Sequence, residues 1–378
     1  MQYSNKGAAL DTAELYIGLM SGTSLDAVDA VLLELPPPSS QTGPQLKHHY
    51  SLPYSASLRS ELLKLHQPSD NELERSLLVG NTLSALYAET VSGLLKSAAL
   101  QPSAIRAIGC HGQTVRHRPE LGYTLQLVNA ALLAEQCDIT VVADFRSRDI
   151  AAGGQGAPLV PAFHHAMFGS TLEHRVILNI GGIANLSNLP LQGEVTGWDS
   201  GPGNMLMDAW IMQQQGLTYD QHGAWAETGH IIPDLLASLL ALPYFGASPP
   251  KSCGRDQFHL DWLQQQLIPG SNPADVQRTL LELSAISIAD AISGYCGAVD
   301  AVYLCGGGAY NTVLARRLQQ LLGTVRIETT AALGIAPQWV EAAAFAWLAR
   351  QTMHRSAGNL PAVTGASGPR VLGAIYYN

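Results

Sequence analysis

The chain has 378 residues, 47% of them apolar and only 13% charged, which excludes disorder of the whole chain and leaves room for two or three domains. Twenty-one Lys and Arg against 30 Asp and Glu give a net charge of −9, which argues against a nucleic acid or an anionic membrane as partner. Five cysteines, odd in number and without a CxxC pair, predict reduced thiols; no apolar run approaches the ~18 residues of a spanning helix and none forms a signal core, so a soluble cytoplasmic protein is expected.

Residues 15–35, LYIGLMSGTSLDAVDAVLLEL, set two β-prone apolar runs about a Ser-Gly-Thr-Ser turn and predict a hairpin. Residues 36–45, with three consecutive prolines, read as an exposed loop. Apolar spacing of three and four predicts helices through 55–100. AIRAIGCHGQTV then reads as a short strand ending in a Gly-rich turn. The second half repeats this order. VILNIGGIANLSNL at 176–189 is a second hairpin, VQRTLLELSAISIADAIS at 276–293 a helix, and VDAVYLCGGGAYNTVLARRLQQLL at 299–322 a strand, three glycines and a helix. Residues 355–370, rich in Gly, Pro and Ser, are expected to cross the surface before a short strand in VLGAIYY. The repeat predicts a duplicated α/β fold, two lobes with a cleft between them, against the alternative of two unrelated α/β units. One lobe is placed at 1–135 plus 350–378 and the other at 136–349.

Several chemistries are missing. GxxxxGK[ST], GxGxxG, GxSxG, HExxH and the protein-kinase pair HRD and DFG do not occur. His111 and His117 are six apart and His164 and His165 adjacent, so neither pair puts two metal ligands on one helix face. Three Gly-rich turns remain, each after an apolar strand: Ser21-Gly22-Thr23-Ser24, Gly181-Gly182, and Gly306-Gly307-Gly308. Such turns let backbone N–H groups approach phosphate oxygens, although most simply reverse the chain. Carboxylates accompany them. Asp26 and Asp29 follow the first turn, and Asp199 lies in GWDSGPGN ahead of a helix starting near Asn204. Each is placed to hold a Mg²⁺ water or act as a base, or merely to close its turn.

Over nearly its whole length the chain resembles the anhydro-N-acetylmuramic acid kinases, sugar kinases of the actin-like (ribonuclease H-like) ATPase superfamily. The likeness rests on GLMSGTSLDAVD at 18–29, GCHGQTVRHRP at 109–119, VADFRSRDIAAGGQGAPLVPAFH at 142–164 and LNIGGIANLS at 178–187. It continues through GWDSGPGNMLMD at 197–208, PPKSCGRDQF at 249–258, LCGGGAYN at 304–311 and PQWVEAAAFAWLA at 337–349. Ala27 stands where the pattern leads one to expect glycine, and Cys253 where threonine is expected. The resemblance implies a kinase that uses ATP, Mg²⁺ and water to open 1,6-anhydro-N-acetylmuramic acid and leave N-acetylmuramic acid 6-phosphate, a step in recycling bacterial cell wall. It implies a homodimer. It assigns the nucleotide to Gly22, Thr23, Ser24, Leu25, Asp26, Ala27, Val28 and Asp29, with Gly181, Gly182, Gly306, Gly307 and Gly308, and the metal to Asp26. Asp199 is implied as catalytic base, and Ser21, His111, Arg146, Asp149 and Glu341 as contacts to the amino sugar. The alternatives on the same fold are a nucleotide-switch ATPase and a phosphatase.

Overall fold

The computed structural model describes residues 12–22, 25–37, 40, 43–254 and 257–378. Contacts divide the chain into two units, Met1–Phe163 with Glu341–Asn378, and His164–Val340. The breaks thus fall at 163/164 and 340/341 instead of the expected 135/136 and 349/350. Two features move them: residues 141–143 complete the first sheet, and a late helix docks on that sheet almost from its first residue.

In the first unit β1 (Glu14–Met20) and β2 (Ala27–Leu35) form the expected hairpin, in register from Glu14↔Leu35 to Met20↔Asp29. β3 (Gln45–Pro53) adds antiparallel to β2. Helices Ala56–Leu65 and Glu72–Ala98 follow, the first capped by the Ser55 side chain accepting the Leu58 N–H. β4 (Ile105–Cys110) runs parallel to β1. A ribbon of β5 (Gln113–Arg118) and β6 (Tyr123–Leu127) leads on to β7 (Val141–Ala143), parallel to β4.

In the second unit β8 (Arg175–Ile180), β9 (Ile183–Leu189) and β10 (Thr196–Pro202) form an antiparallel meander. Helix Pro273–Tyr295, whose inner face fills the core, precedes β11 (Ala301–Cys305), parallel to β8. β12 (Arg326–Thr329) is parallel to β11. Finally β13 (Ala374–Tyr376) returns to the first sheet, antiparallel to β7.

The sheet orders are β13-β7-β4-β1-β2-β3 and β10-β9-β8-β11-β12. Aligning β1 with β8, both units show the same order: a three-strand antiparallel meander with two parallel strands added beside its first strand. That repeat bears out the expected duplication of an actin-like α/β unit. β11 reads as an unbroken apolar run because both its faces are covered, and every one of its residues is buried.

One contact fixes the first unit's late helix. Gly18 on β1 pairs in register with Gly109 on β4. A Cβ on Gly18 would lie 1.8 Å from the Ala342 carbonyl oxygen, and one on Gly109 2.0 Å from that of Phe345. The Ala-rich helix Val340–Met353 therefore rests its backbone directly on this glycine pair. Residues 355–370 do not simply cross the surface: Asn359 and Thr364 are 4% and 1% exposed and tie this stretch to the site.

Candidate active site

Ligands in α/β sheets collect beyond the carboxyl ends of parallel strands. In the first unit these ends deliver Ser21 after β1, His111 after β4 and Arg146 shortly after β7. The turn after β1 is braced from below. Ser21 is 2% exposed; its Oγ lies 2.8 Å from the Tyr87 hydroxyl and donates to the Gly112 carbonyl at 3.2 Å. The Gln113 amide donates to the Gly22 carbonyl at 3.2 Å and its oxygen accepts from the Tyr54 hydroxyl at 3.0 Å. Ser21 is thus already engaged, and the resemblance did not point to Tyr54, Tyr87 or Gln113. Leu25 and Val28 sit in the core, 1% and 0% exposed, so only their backbones can face a nucleotide. Ala27 is part-buried at the start of β2 and Asp26 is exposed. Thr23 and Ser24 lie outside the described residues.

Arg146 is gripped on one side. Its Nε and Nη2 approach His111 Nε2 at 3.2 and 2.9 Å, and Nη1 donates to the Gly156 carbonyl at 2.8 Å. An imidazole nitrogen that accepts from a guanidinium carries no proton, so His111 is neutral, with its proton on Nδ1; burial, then the Arg146 charge, hold its pKa well below the usual value. Burial lowers Arg146 itself to about 10, against the charges of Glu341 and Asp149. One N–H on each Nη remains for a ligand, a two-pronged donor set suited to a carboxylate. Burial raises Glu341, which Arg146 opposes and Asp29 reinforces. Asp29 is raised too, by burial and by the charge of Asp26, while a 2.8 Å bond from Ser51 opposes.

Asp149 has another occupation. It is fully buried, and its two oxygens accept from Gly156 N (2.8 Å), Asn359 Nδ2 (2.7 Å) and Thr364 Oγ1 (2.8 Å). That ties residues 359–364 beneath the Arg146 loop, so Asp149 acts on a ligand only through the loop it holds.

In the second unit the Gly181–Gly182 turn receives the start of the next helix: Gly203 and Met205 N–H donate to the Gly182 carbonyl and Asn204 N–H to that of Gly181. Gly306 and Gly308 are required by packing, since a Cβ on either would come within 2.3 Å of Asn179 Oδ1 or of Ile180 Cγ2. Gly307 is different: it is exposed and a Cβ there would meet nothing within 4 Å. Of the three, it is the one whose backbone is open to solvent.

Asp199 lies within strand β10, not on a turn. The strand runs on to Pro202 and is bulged between Asp199 and Gly201, a device that re-aims a side chain. Asp199 pairs with Asn185, Asn185 with Asn179, and Asn179 with Cys305. Directly paired residues share a face, so the row leads across three strand gaps from the Asp199 carboxylate to the Gly306 turn, about 14 Å at ~4.8 Å per gap. Asn179 and Asn185 are part-exposed polar residues amid the apolar residues of β8 and β9, the sequence signal that was there to be used. Asp199 Oδ2 accepts the Cys253 backbone N–H at 3.0 Å. Burial lifts its pKa to about 6, against that bond. None of the five cysteines is in a disulfide; burial pushes Cys110, Cys137 and Cys296 to about 12, which makes them packing residues.

Among the described residues no three His, Cys, Asp or Glu gather as a metal site. Mg²⁺ takes one or two carboxylates and fills the rest of its octahedron with water and phosphate oxygens. The mutually repelling Asp26 and Asp29 supply such hard oxygen donors.

Two α/β units of one topology, with Gly-rich turns after their strands and carboxylates on β2, on the turn before it and on β10, define a phosphotransferase of the actin-like sugar-kinase class. A profile of the anhydro-N-acetylmuramic acid kinase family matches residues 14–378, and the chain belongs to that family. The anhydro-N-acetylmuramic acid kinase of Nitrosomonas europaea is 57% identical over 363 residues, 96% of this chain and 99% of that one. That of Thiobacillus denitrificans is 56% identical over 374 residues, 96% and 97%. Among solved structures, the activator of 2-hydroxyisocaproyl-CoA dehydratase from Clostridium difficile with bound ADPNP aligns at 11% identity and TM-score 0.45, covering 90% of this chain and 97% of that one. A ROK family glucokinase from Streptomyces griseus in complex with glucose and AMPPNP aligns at 15% identity and TM-score 0.39, covering 89% and 99%. Both are too distant to bear on chemistry.

Proposed function

We propose that the chain converts 1,6-anhydro-N-acetylmuramic acid, ATP and water to N-acetylmuramic acid 6-phosphate and ADP. Asp199 is the base. It takes a proton from water as the water oxygen bonds to C1. The C1–O6 bond breaks with its electrons on O6, and O6 displaces ADP from the γ-phosphorus. No separate acid is needed, because the phosphoryl group captures O6. The single observation that carries this reading is the match to the anhydro-N-acetylmuramic acid kinase family over residues 14–378; the half-buried Asp199 carboxylate, which burial lifts to about 6, suits the part of base. In the first unit the nucleotide-binding residues are those of the Gly22–Asp29 stretch, and in the second unit those of the turns at Gly181–Gly182 and Gly306–Gly308. Asp26, with Asp29 beside it, would hold Mg²⁺, which neutralises phosphoryl charge when bound. Arg146 and Glu341 receive the sugar, with His111 fixing the arginine, and Ser21 and Asp149 act behind them. A homodimer in the cytoplasm agrees with the family resemblance; among the described residues no helix is long and apolar enough to cross a membrane.

ATP consumption should depend on the anhydro sugar and match phosphosugar formation one to one, with ¹⁸O from labelled water found at C1 and not in phosphate. Sugar-independent ATP hydrolysis would mark a nucleotide switch, and release of free phosphate a phosphatase.

Arg146→Lys replaces a fork held on His111 with a single point charge. Loss of a two-pronged charged contact of about 1.5–3 kcal/mol should raise the KM for the anhydro sugar by ~10–100-fold. The KM for ATP should change little. Steady-state kinetics with each substrate varied in turn would show it, and equal changes in both KM values would remove Arg146 from the sugar site.

A further inference from the structure

β10 is the edge strand of its sheet, and an edge must be covered if its backbone groups are to be satisfied. Residues 244–253 do this at one point only, around Asp199. The Asp199 N–H donates to the Lys251 carbonyl at 3.1 Å. The Tyr244 hydroxyl donates to the Asp199 carbonyl at 2.6 Å. The Cys253 N–H donates to the carboxylate. The segment is closed on itself by Lys251, whose Nζ donates to the carbonyls of Tyr244 (3.1 Å) and Phe245 (3.4 Å) and lies 4.7 Å from the centre of the Tyr244 ring. Main-chain N–H, main-chain carbonyl and side-chain oxygen of one aspartate are therefore all held by one ten-residue stretch, and one ammonium holds the stretch together.

We infer that Lys251 and Tyr244 are positioning residues for the reaction: together they lock the 244–253 segment so that the Cys253 N–H keeps one oxygen of Asp199 and turns the other towards the water to be activated. The inference rests on the reading of Asp199 as base and adds what aims it. Of the titratable groups in this segment, the Tyr244 hydroxyl feels the Asp199 charge and interacts with the Cys253 thiol, while the Lys251 ammonium is directed at the Tyr244 and Phe245 carbonyls. From helix Pro273–Tyr295, Asp290 borders the same cavity as Lys251, a space of about 530 Å³ also bounded by Ser200, Phe245 and Tyr295. Because Lys251 borders open volume and not core, shortening its charge away leaves no packing hole.

Three variants test this against wild type. Lys251→Met loosens the segment and with it the Cys253 N–H bond, which favours the ionised carboxylate. Weakening that bond raises the Asp199 pKa. The acidic limb of kcat should move up by about half a pH unit to one unit, and kcat near pH 6.5 should fall with it by about 1.5–3-fold. The KM values for ATP and sugar should stay within about twofold, since neither ligand is touched. Lys251→Arg, which keeps a cation over the ring, should restore most of the loss. Tyr244→Phe deletes one oxygen, keeps the ring, and should shift the limb in the same direction if Lys251→Met fails to fold. Wild-type kcat and limb in both Lys251→Met and Tyr244→Phe would overturn the inference, as would a kcat loss at every pH with an unmoved limb. Asp199→Asn separates the two levels: an active Asp199→Asn sinks the reading of Asp199 itself, whereas an inactive one beside unchanged Lys251 and Tyr244 variants sinks only the positioning role.

Discussion

Asp199→Asn should cut kcat by ~10²–10⁴, the contribution of one positioned base, with ATP and sugar still bound. The amide keeps the shape of the carboxylate and still accepts the Cys253 N–H, so binding and chemistry separate cleanly. In the wild type the base works only when deprotonated. Activity should therefore fall as pH drops through about 6, the value to which burial lifts this group, and the residual activity of the variant should lack that limb. Stability should move the other way. The folded-state pKa lies above the ordinary 3.8 of an aspartate, so the native protein binds more protons than the unfolded chain between about 4 and 6, and the buried charge costs stability above that window. About two pKa units correspond to ~3 kcal/mol, which partial exposure reduces to about 1–2. The variant should thus melt a few degrees higher at pH 7.5, with the gain gone below pH 4. Near-normal turnover, or no stability gain at neutral pH, would mean the carboxylate is neither the base nor a desolvated charge.

What the sequence disclosed follows from how local each signal is. Both hairpins were legible because their turns are Gly-rich and their flanks apolar. β3, QLKHHYSLP, was not, because an outer strand with one wet face reads as polar. β10 was harder still. TGWDSGP carries two glycines and a proline, so intrinsic preference opposes a strand; pairing with β9 and cover by residues 251–253 override it. The site divides in the same way. Asp199 stood out by its motif, but the groups that hold it come from residues 244–253, which have no periodicity. His111 and Arg146 meet across 35 positions of sequence, a contact only the parallel order of β1, β4 and β7 creates. Asp149 was a ligand contact only by the family resemblance. Burial and three donors make it a brace.

The glycine pair under the late helix should be the least forgiving backbone position in the first unit. Gly18→Ala puts a methyl group 1.8 Å from the Ala342 carbonyl oxygen, and Gly109→Ala one 2.0 Å from that of Phe345. Both obstacles are helix backbone, so no rotamer relieves them and the helix must rise off the sheet. Overpacking of this kind costs ~1–3 kcal/mol or more, a drop of several degrees in Tm. Since both methyls push the same helix, Gly18→Ala with Gly109→Ala should cost less than the sum of the two. The functional loss should exceed the structural one, because Glu341 rides on the first turn of that helix and its carboxylate lies within reach of the Arg146 charge. A lifted helix withdraws Glu341 from the arginine, so at a temperature where Gly109→Ala remains folded its KM for the anhydro sugar should rise while its KM for ATP holds. Thermal unfolding followed by circular dichroism, with kinetics below the transition, measures both. An unchanged Tm would mean the helix is not seated on Gly18 and Gly109, and a lowered Tm with unaltered kinetics would detach Glu341 from the sugar.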